Sequence, residues 1–221
     1  MQQVTFRSLI IVIERSLVKL FFAPGVKKDC QARKSAVEFC KTNPSNENEY
    51  EKSEDMKTIY LAGGCFWGMQ KFLDQFDGVL NTEVGYANGP DRAPSYEEVC
   101  RSSGHAETVR VDYDPARLTL TRLLEYYFMV IDPLSVNRQG GDQGVQYRTG
   151  IYYTDESQRP EIDAVWQAEE KKAGARLAVE LEPLRNFFPA EEYHQKYLDK
   201  NPGGYCHIPE RFLQQDSRNP E

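Results

Sequence analysis

The chain contains five cysteines, and one of them, Cys65, lies in a segment suited to thiol chemistry. The motif GGCFWG places Cys65 between a predicted strand at 59–62 and a predicted helix at 65–75. The free N–H groups of a helix N-terminus favour the thiolate, which is the reactive form of cysteine. Gly63 and Gly64 lack a Cβ, so the backbone can turn sharply and a substrate can approach closely. Cys65 is therefore the candidate nucleophile.

Phe66 and Trp67 follow this cysteine directly. If one of them faces solvent, it forms an apolar wall that suits a small apolar group such as a thioether methyl. The alternative is a buried cysteine at a helix start, with both aromatic side chains in the core. The Gly-Gly turn, the helix start and the paired aromatics together favour the functional interpretation.

The other cysteines show no spacing typical of a disulfide framework or a metal site. Their number is odd, there is no CxxC motif, and the chain has only three histidines. Cys100 lies at helical spacing in YEEVC, which predicts a small core residue, and no relay role is expected for Cys30 or Cys40. Unpaired thiols fit a reducing cytoplasm, which is the location we expect.

The charge balance and the N-terminal hydropathy exclude several classes of protein. The 34 acidic side chains outnumber the 27 basic ones, whereas a nucleic-acid-binding protein would carry a basic stripe. Charged residues interrupt the apolar run at 9–22, so it is too short for a membrane span of about 20 apolar residues. Glu14 also breaks the apolar region that a secretory signal needs. An amphipathic surface helix remains an open alternative for this run.

The composition changes near residue 56. Residues 41–55 are polar, rich in turn formers and acids, which predicts a linker or disordered segment. We therefore expect residues 1–55 to form a dispensable extension and residues 56–221 to form a single catalytic domain, with Met56 as a possible natural start.

From Met56 onward, hydrophobic periodicity predicts alternating strands and helices. The predicted strands are 59–62, 79–86, 105–113, 150–153 and 178–181. The predicted helices are 65–75, 95–99, 119 or 121 to 129, 157 or 161 to 173, and 190–199. A polar, Gly-rich loop spans 135–148, and 205–221 lacks periodicity. The pattern predicts an α/β-type domain with long functional loops, but it does not determine the topology.

Four separated blocks of the sequence resemble the A-type peptide methionine sulfoxide reductases. The family signature is GCFWG, with the nucleophilic cysteine in second place. The blocks are GCFWG at 64–68, PSYEEVCRSSGHAETVRVDYDP at 94–115, NRQGGDQGVQYRTGIYY at 137–153 and FPAEEYHQKYLDKNPGGYCH at 188–207. The resemblance spans about residues 57–208 and leaves out 1–55 and 209–221.

The resemblance implies a fold and an activity. The fold would be an α+β two-layer sandwich, a mixed sheet with a ferredoxin-like core, long functional loops and a coil-rich C-terminal tail. The activity would be reduction of the S epimer of methionine sulfoxide, free or in proteins, as repair of oxidative damage. We expect no bound cofactor or metal, reducing equivalents from a thioredoxin-type partner, a monomer, and no nucleic-acid or membrane partner.

Reduction of a sulfoxide needs a nucleophile at sulfur and an acid at oxygen, because charge otherwise accumulates on the oxygen. A carboxylic acid in an apolar, partly dehydrated pocket can supply that proton. The family implies that Glu107 is this acid. Without the resemblance, Glu107 in its alternating strand would be interpreted as an outward-facing charge.

The family also implies two tyrosines that hold the sulfoxide oxygen, and they fall on Tyr96 and Tyr147. A phenol donates a hydrogen bond without adding charge. Asp142 matches a loop aspartate that supports the site or holds water. The methyl-binding wall is implied at Phe66, Trp67 and Tyr205.

The resemblance implies that Cys206, in GGYCH, is the resolving thiol. A sulfenic acid on Cys65 would condense with it to a disulfide, which the thioredoxin-type partner then reduces. Gly203, Gly204 and the unpatterned tail would let Cys206 move, which suits disulfide exchange. No cysteine follows Cys206, so a two-thiol cycle is the simplest interpretation.

Two positions depart from the family pattern: Gly141 replaces a common Asn, and Ile131 replaces a common His. Neither is assigned to chemistry. His194 is expected to support the site structurally, and His207 has no assigned role.

Rival functions also stay open. They are a thiol peroxidase, a cysteine hydrolase in which a histidine reaches the nucleophile, and a non-enzymatic module that binds oxidised methionine. The intact set of Cys65, Glu107 and Cys206 argues against the last, because an inactive relative usually loses one of these residues.

Overall fold

A computed structural model of the protein describes residues 56–213. The predictions for residues 1–55, including the extension and its linker, lie outside the described residues, as does the end of the tail from 214 to 221. Within the described residues, no helix is long and apolar enough to cross a membrane.

Residues 56–213 form eight strands and six α-helices. The strands are β1 (Lys57–Gly63), β2 (Val79–Ala87), β3 (Ala106–Tyr113), β4 (Arg138–Gln139), β5 (Asp142–Gln143), β6 (Thr149–Tyr153), β7 (Glu180–Pro183) and β8 (Phe187–Pro189). The helices are α1 (Phe66–Leu73), α2 (Tyr96–Cys100), α3 (Leu120–Val130), α4 (Arg159–Ala173), α5 (Tyr197–Lys200) and α6 (Glu210–Leu213). Short 3₁₀ turns lie at Val145–Tyr147 and Glu156–Gln158.

Six strands form one mixed sheet in the order β7-β6-β1-β3-β2-β8. All neighbours are antiparallel except β6 and β7, which are parallel. In chain order, β1, α1, β2, β3, α3 and β6 follow the βαββαβ sequence of a ferredoxin-like core. The expected mixed α+β fold is therefore confirmed. Strands β4 and β5 form a separate small hairpin in the long loop.

The two faces of the sheet differ because side chains alternate along a strand. On β1, Ile59 and Leu61 belong to the large cluster that includes the apolar residues of α1 and α3. Ala62 points to the opposite face, where Tyr60 packs against Phe187 at 5.1 Å between ring centroids. Full burial of each large apolar side chain on the helix face contributes about 1.5–3 kcal/mol.

Two helix starts predicted from sequence are confirmed by their caps. Ser95 caps α2 in a capping box: its hydroxyl accepts from the Glu98 N–H at 3.3 Å, and the Glu98 carboxylate accepts from the Ser95 N–H at 2.9 Å. Thr119 caps α3 by accepting from the Arg122 N–H at 3.2 Å. These bonds satisfy N–H groups that have no partner inside the helix.

The predicted helix at 190–199 is wrong. Only α5 is helical there, and it begins after Lys196, whose φ of 51° interrupts a right-handed helix. The Ala190 N–H donates to the Val84 carbonyl at 2.9 Å, and the Gln195 side chain bonds both backbone groups of Val84. Bonds to β2 and local turns thus take the place of a helix between Ala190 and Gln195. The same pairing explains the unpredicted β8, and α6 was also not predicted.

Candidate active site

Cys65 is the N-cap residue of α1, directly after the turn that leaves β1. Gly64 has a φ of 85°, and a Cβ there would lie 2.6 Å from Gln139 Cβ. Both facts require glycine. The turn aims the sulfur at the first turn of the helix, where the backbone N–H groups of Trp67 and Gly68 face it. The side chain is 6% exposed.

The pKa of the Cys65 thiol is nevertheless raised. Burial raises it most and the nearby Glu107 carboxyl raises it further, and these effects exceed the lowering by the N–H groups of Trp67 and Gly68. The helix start thus lowers this pKa as expected, but the loss of hydration outweighs it, so the net shift is upward. The thiol keeps its proton at neutral pH.

Glu107 lies on β3 with its side chain on the helix face, alongside Val109 and Val111, and it is 2% exposed. The interpretation as an outward-facing charge is therefore wrong. Its Oε2 accepts a hydrogen bond from the Phe66 N–H at 3.1 Å, next to the nucleophile. Burial raises the pKa of Glu107 to about 8, despite that bond, and the charge of Asp142 also raises it. The carboxyl therefore carries a proton at neutral pH.

Tyr96 and Tyr147 approach this pair from separate segments. Tyr96 begins α2, and its backbone N–H donates to Glu191 Oε1 at 3.0 Å. Tyr147 closes the 3₁₀ turn after β5. Burial raises the pKa of both phenols, and the charge of Glu107 contributes to each shift. Both are neutral hydrogen-bond donors near Glu107.

Asp142, at the start of β5, lies close to most groups of the site. Its charge contributes to the raised pKa of Cys65, Glu107 and Tyr147. Tyr205 is 52% exposed. Burial, followed by contact with Asp142, raises the pKa of Tyr205 to about 12. Asp142 thus faces both the nucleophile and the tail.

The predicted wall residues have different surroundings. Phe66 is 1% exposed and packs against Tyr86 and His194, at 5.9 and 5.1 Å between ring centroids. Trp67 is partly buried and stacks on Tyr197, with 3.8 Å between the ring centroids. Its indole N–H donates to His194 Nδ1 at 2.9 Å. Trp67 is therefore held rigidly at the edge of the core.

Cys206 lies against the same helix turn that Cys65 caps. A Cβ on Gly68 would lie only 2.8 Å from Cys206 Sγ, so glycine makes room for the second sulfur. Both thiols are free. Burial raises the pKa of Cys206, and the Ile208 N–H opposes this shift. The fold thus brings the two predicted thiols to one turn of α1.

Comparison with known proteins agrees with this geometry. The sequence model of the peptide methionine sulfoxide reductase family matches residues 57–220. The chain belongs to this family. Peptide methionine sulfoxide reductase MsrA of Lachnoclostridium phytofermentans is 58% identical over 153 residues, which cover 69% of this chain and 92% of that protein. MsrA of Clostridium acetobutylicum is 54% identical over 159 residues, covering 72% and 98% respectively.

Solved structures of the family are also similar. Reduced Mxr1 from Saccharomyces cerevisiae matches with a TM-score of 0.65 and 38% identity, over 69% of this chain and 89% of that chain. Methionine sulfoxide reductase A of Corynebacterium diphtheriae matches with a TM-score of 0.63 and 34% identity, over 72% and 85% respectively. The fold of the family is thus shared by the described domain.

Within this family member, Cys100 differs from its predicted environment. It is exposed rather than in the core, because the five-residue α2 buries only Val99. Its thiol contacts the Tyr96 phenol and contributes to the raised pKa of that group. Cys100 therefore lies at the rim of the site.

Sequence reasoning missed Glu191 and understated His194. Glu191 accepts from the Tyr86 hydroxyl at 2.8 Å and from the Tyr96 N–H, so it fastens α2 to the sheet. Burial lowers the pKa of His194, which stays neutral and can accept from Trp67. The polar segment EEYH at 191–194 suggests functional side chains, but the sequence does not show which residues Glu191 and His194 contact.

Away from these residues, the described part of the chain has a cavity but no cluster of metal-binding side chains. Among residues 56–213, no group of three or more His, Cys, Asp or Glu side chains could hold a metal ion. A cavity of roughly 300 Å³ lies between the start of β1 and the beginnings of α3 and α4, and Lys57, Tyr113 and Glu161 are among its lining residues. None of the predicted site residues lines it.

Proposed function

We propose that the protein reduces the S epimer of methionine sulfoxide, free or in proteins, with Cys65 as nucleophile and Glu107 as proton donor. One observation carries this proposal. The Phe66 N–H joins a buried, protonated carboxyl to the residue that follows the free thiol of Cys65. A sulfoxide needs these two groups together, one at sulfur and one at oxygen.

In the first step, Cys65 attacks the sulfoxide sulfur while Glu107 protonates the oxygen. The N–H groups of Trp67 and Gly68 face the sulfur and favour its anionic form when the thiol proton leaves. Overall, the thiol and the sulfoxide give the sulfenic acid of Cys65 and methionine. The sulfoxide is reduced and the cysteine sulfur is oxidised, so atoms and electrons balance.

The neutral phenols of Tyr96 and Tyr147 hold the sulfoxide oxygen. Their raised pKa values support this role, because each phenol keeps the proton that it donates. The methyl group rests against Trp67, with Phe66 supporting it from the core and Tyr205 covering it from the tail. Asp142 supports the polar side of the site.

In the second step, Cys206 attacks the sulfenic acid, and a disulfide and water form. The position of Cys206 Sγ against Gly68 supports this role, because Cys65 caps the same helix. A thioredoxin-type protein then reduces the disulfide, and no bound cofactor takes part.

The test supplies the separate S and R epimers with thioredoxin, thioredoxin reductase and NADPH, and follows NADPH loss. We expect turnover of the S epimer alone, and none with Cys65→Ser. Equally fast consumption of hydrogen peroxide would favour a peroxidase. If neither thioredoxin nor dithiothreitol supports turnover by the folded protein, the reductase proposal is wrong and a module that binds oxidised methionine becomes the favoured interpretation.

A further inference from the structure

His207 directly follows the second thiol, and its side chain is packed into the site. The side chain is 3% exposed. Its Nε2 lies 3.1 Å from the carbonyl oxygen of Gly63, at the end of β1. A carbonyl can only accept, so Nε2 carries the proton and donates. The neutral ring therefore presents Nδ1 as a free lone pair.

The Nδ1 atom faces a second acceptor. Asp142 Oδ2 lies 4.0 Å from His207 Nδ1. Both atoms are buried, and neither has a hydrogen-bond partner among the described residues. Buried polar atoms are rarely left unpaired, and a catalytic role is one explanation for such an exception. One added proton on Nδ1 would turn this pair of acceptors into a donor facing a carboxylate.

The thiol of Cys206 lies at the same place. A Cβ on Gly68 would lie 2.8 Å from Cys206 Sγ and 3.4 Å from His207 Nδ1. The sulfur and the free lone pair therefore border one small space, which the missing side chain of Gly68 leaves open.

The second step creates a need for a base. Cys206 attacks as a thiolate, but burial and the charge of Asp142 raise its pKa. We propose that His207 Nδ1, backed by Asp142, accepts the proton of Cys206 as this thiol attacks the sulfenic acid of Cys65. The inference rests on the proposed function, because that reaction supplies the sulfenic acid.

The step balances without a further reactant. The S–H bond of Cys206 breaks and its proton moves to Nδ1, while the new S–S bond forms and the S–O bond of Cys65 breaks. The departing hydroxide takes up the proton that His207 received from Cys206 and leaves as water, so His207 returns to its neutral form and no proton is gained or lost. The sulfenic sulfur is reduced and the Cys206 thiol is oxidised.

Several groups set the charge state of His207. Burial lowers its pKa, whereas Asp142 and the bond to Gly63 raise it, and the net direction is downward. Tyr205 and Cys65 also lie near Asp142. The ring is therefore neutral and able to accept a proton throughout the neutral range.

The experiment separates the two chemical steps. Fully reduced protein is mixed with methionine S-sulfoxide, quenched at intervals, and assayed for methionine and for free thiols. His207→Gln keeps an amide N–H at the place of Nε2 but removes the basic nitrogen. We expect methionine formation within about twofold of wild type, and disulfide formation slowed by roughly a hundredfold, as for loss of a general base. Added imidazole should restore part of the rate.

The pH dependence of disulfide formation distinguishes a base from a residue that only supports the structure. In wild type the rate of disulfide formation should be flat above the low pKa of His207. In His207→Gln it should rise with pH up to the pKa of the thiol. An unchanged disulfide rate, or a slower rate with the wild-type pH profile and no imidazole rescue, would overturn the proposal. His207→Asn repeats the test if the glutamine variant folds poorly.

The control is His105→Gln, which removes another buried imidazole, one bonded to Ser103 and Pro90. Its disulfide rate should stay within about twofold of wild type. If wild type forms no methionine, the proposed function fails. The inference is still testable then, because hydrogen peroxide can make the sulfenic acid directly.

Discussion

At the scale of single residues, one cause sets the protonation of both reacting groups. Burial raises the pKa of Cys65 and that of Glu107, so both are neutral before substrate binds. A neutral carboxyl is what proton donation requires, whereas a neutral thiol must still lose its proton. The N–H groups at the start of α1 can then stabilise the anion as it forms. Before substrate binds, Glu107 is therefore ready to donate its proton, whereas Cys65 is not yet the reactive thiolate.

Glu107→Gln should slow methionine formation by roughly a hundredfold or more, because an amide cannot donate the proton that the oxygen needs. Burial raises the pKa of Glu107 to about 8, so the acid is present below that pH and lost above it. Wild-type single-turnover rates should therefore fall as the pH rises through about 8, and the variant should lack this fall. An unchanged rate in the variant would remove Glu107 from the chemistry.

At the scale of elements, the first turn of α1 organises the site. Cys65 caps this turn, Phe66 bonds the acid of β3, and Gly68 leaves room for the sulfur of the tail. The other end of α1 is also fastened: Lys196 Nζ lies 2.6 Å from Asp74 Oδ1. The helix is thus held at both ends by segments distant in sequence.

Cys206→Ser should still form about one methionine per protein in a single turnover, because the first step needs only the groups around Cys65. It should then stall with thioredoxin, because no second thiol can attack the sulfenic acid. Quenched-flow methionine assays and steady-state NADPH loss measure the two quantities. Full thioredoxin-driven cycling by the variant would reassign the resolving thiol.

Gly68→Ala tests the packing of the tail on α1. The added methyl would lie 2.8 Å from Cys206 Sγ, so the tail must move away from the helix. We expect disulfide formation to slow by about tenfold or more, with less effect on methionine formation. Gly203→Ala is the matched control, because nothing lies within 4 Å of its added Cβ. Equal rates in both variants would show that this contact does not matter.

At the scale of the whole molecule, the family match covers residues 57–220, and both relatives align along nearly all of their own length. The pattern of apolar residues that predicts the strands and helices also begins at Met56. Both observations support the prediction that residues 1–55 are dispensable for catalysis.

Deletion of residues 1–55 should leave kcat and KM for methionine S-sulfoxide within about twofold of the full chain. The reason is that every residue assigned to the chemistry lies between Cys65 and His207. Steady-state assays of the two forms at equal concentration make the comparison. A large loss of activity in a folded truncated protein would show that the N-terminal segment contributes to the site.

The sequence predicted most elements because their signals are local. Ser95 and Thr119 cap their helices through residues three positions away, and the period of two along β3 marks a strand. The same period places Glu107 with Val109 and Val111, so the alternation already contained a signal that this carboxyl points inward. The helix predicted at 190–199 failed because the Ala190 N–H and the Gln195 side chain bond to Val84 of β2, which no local pattern reveals.

By itself, the sequence determined the thiol at a helix start, the glycine turn before it, the order of the core elements and the family. Only the tertiary structure decided the protonation of Cys65 and Glu107 and the position of Cys206 beside the first turn of α1. Burial of Glu107 under α1 and the placement of Cys206 and His207 beside Gly68 are contacts between distant parts of the chain. Loss of hydration and nearby charges shift each pKa, and both arise only once these segments have packed together.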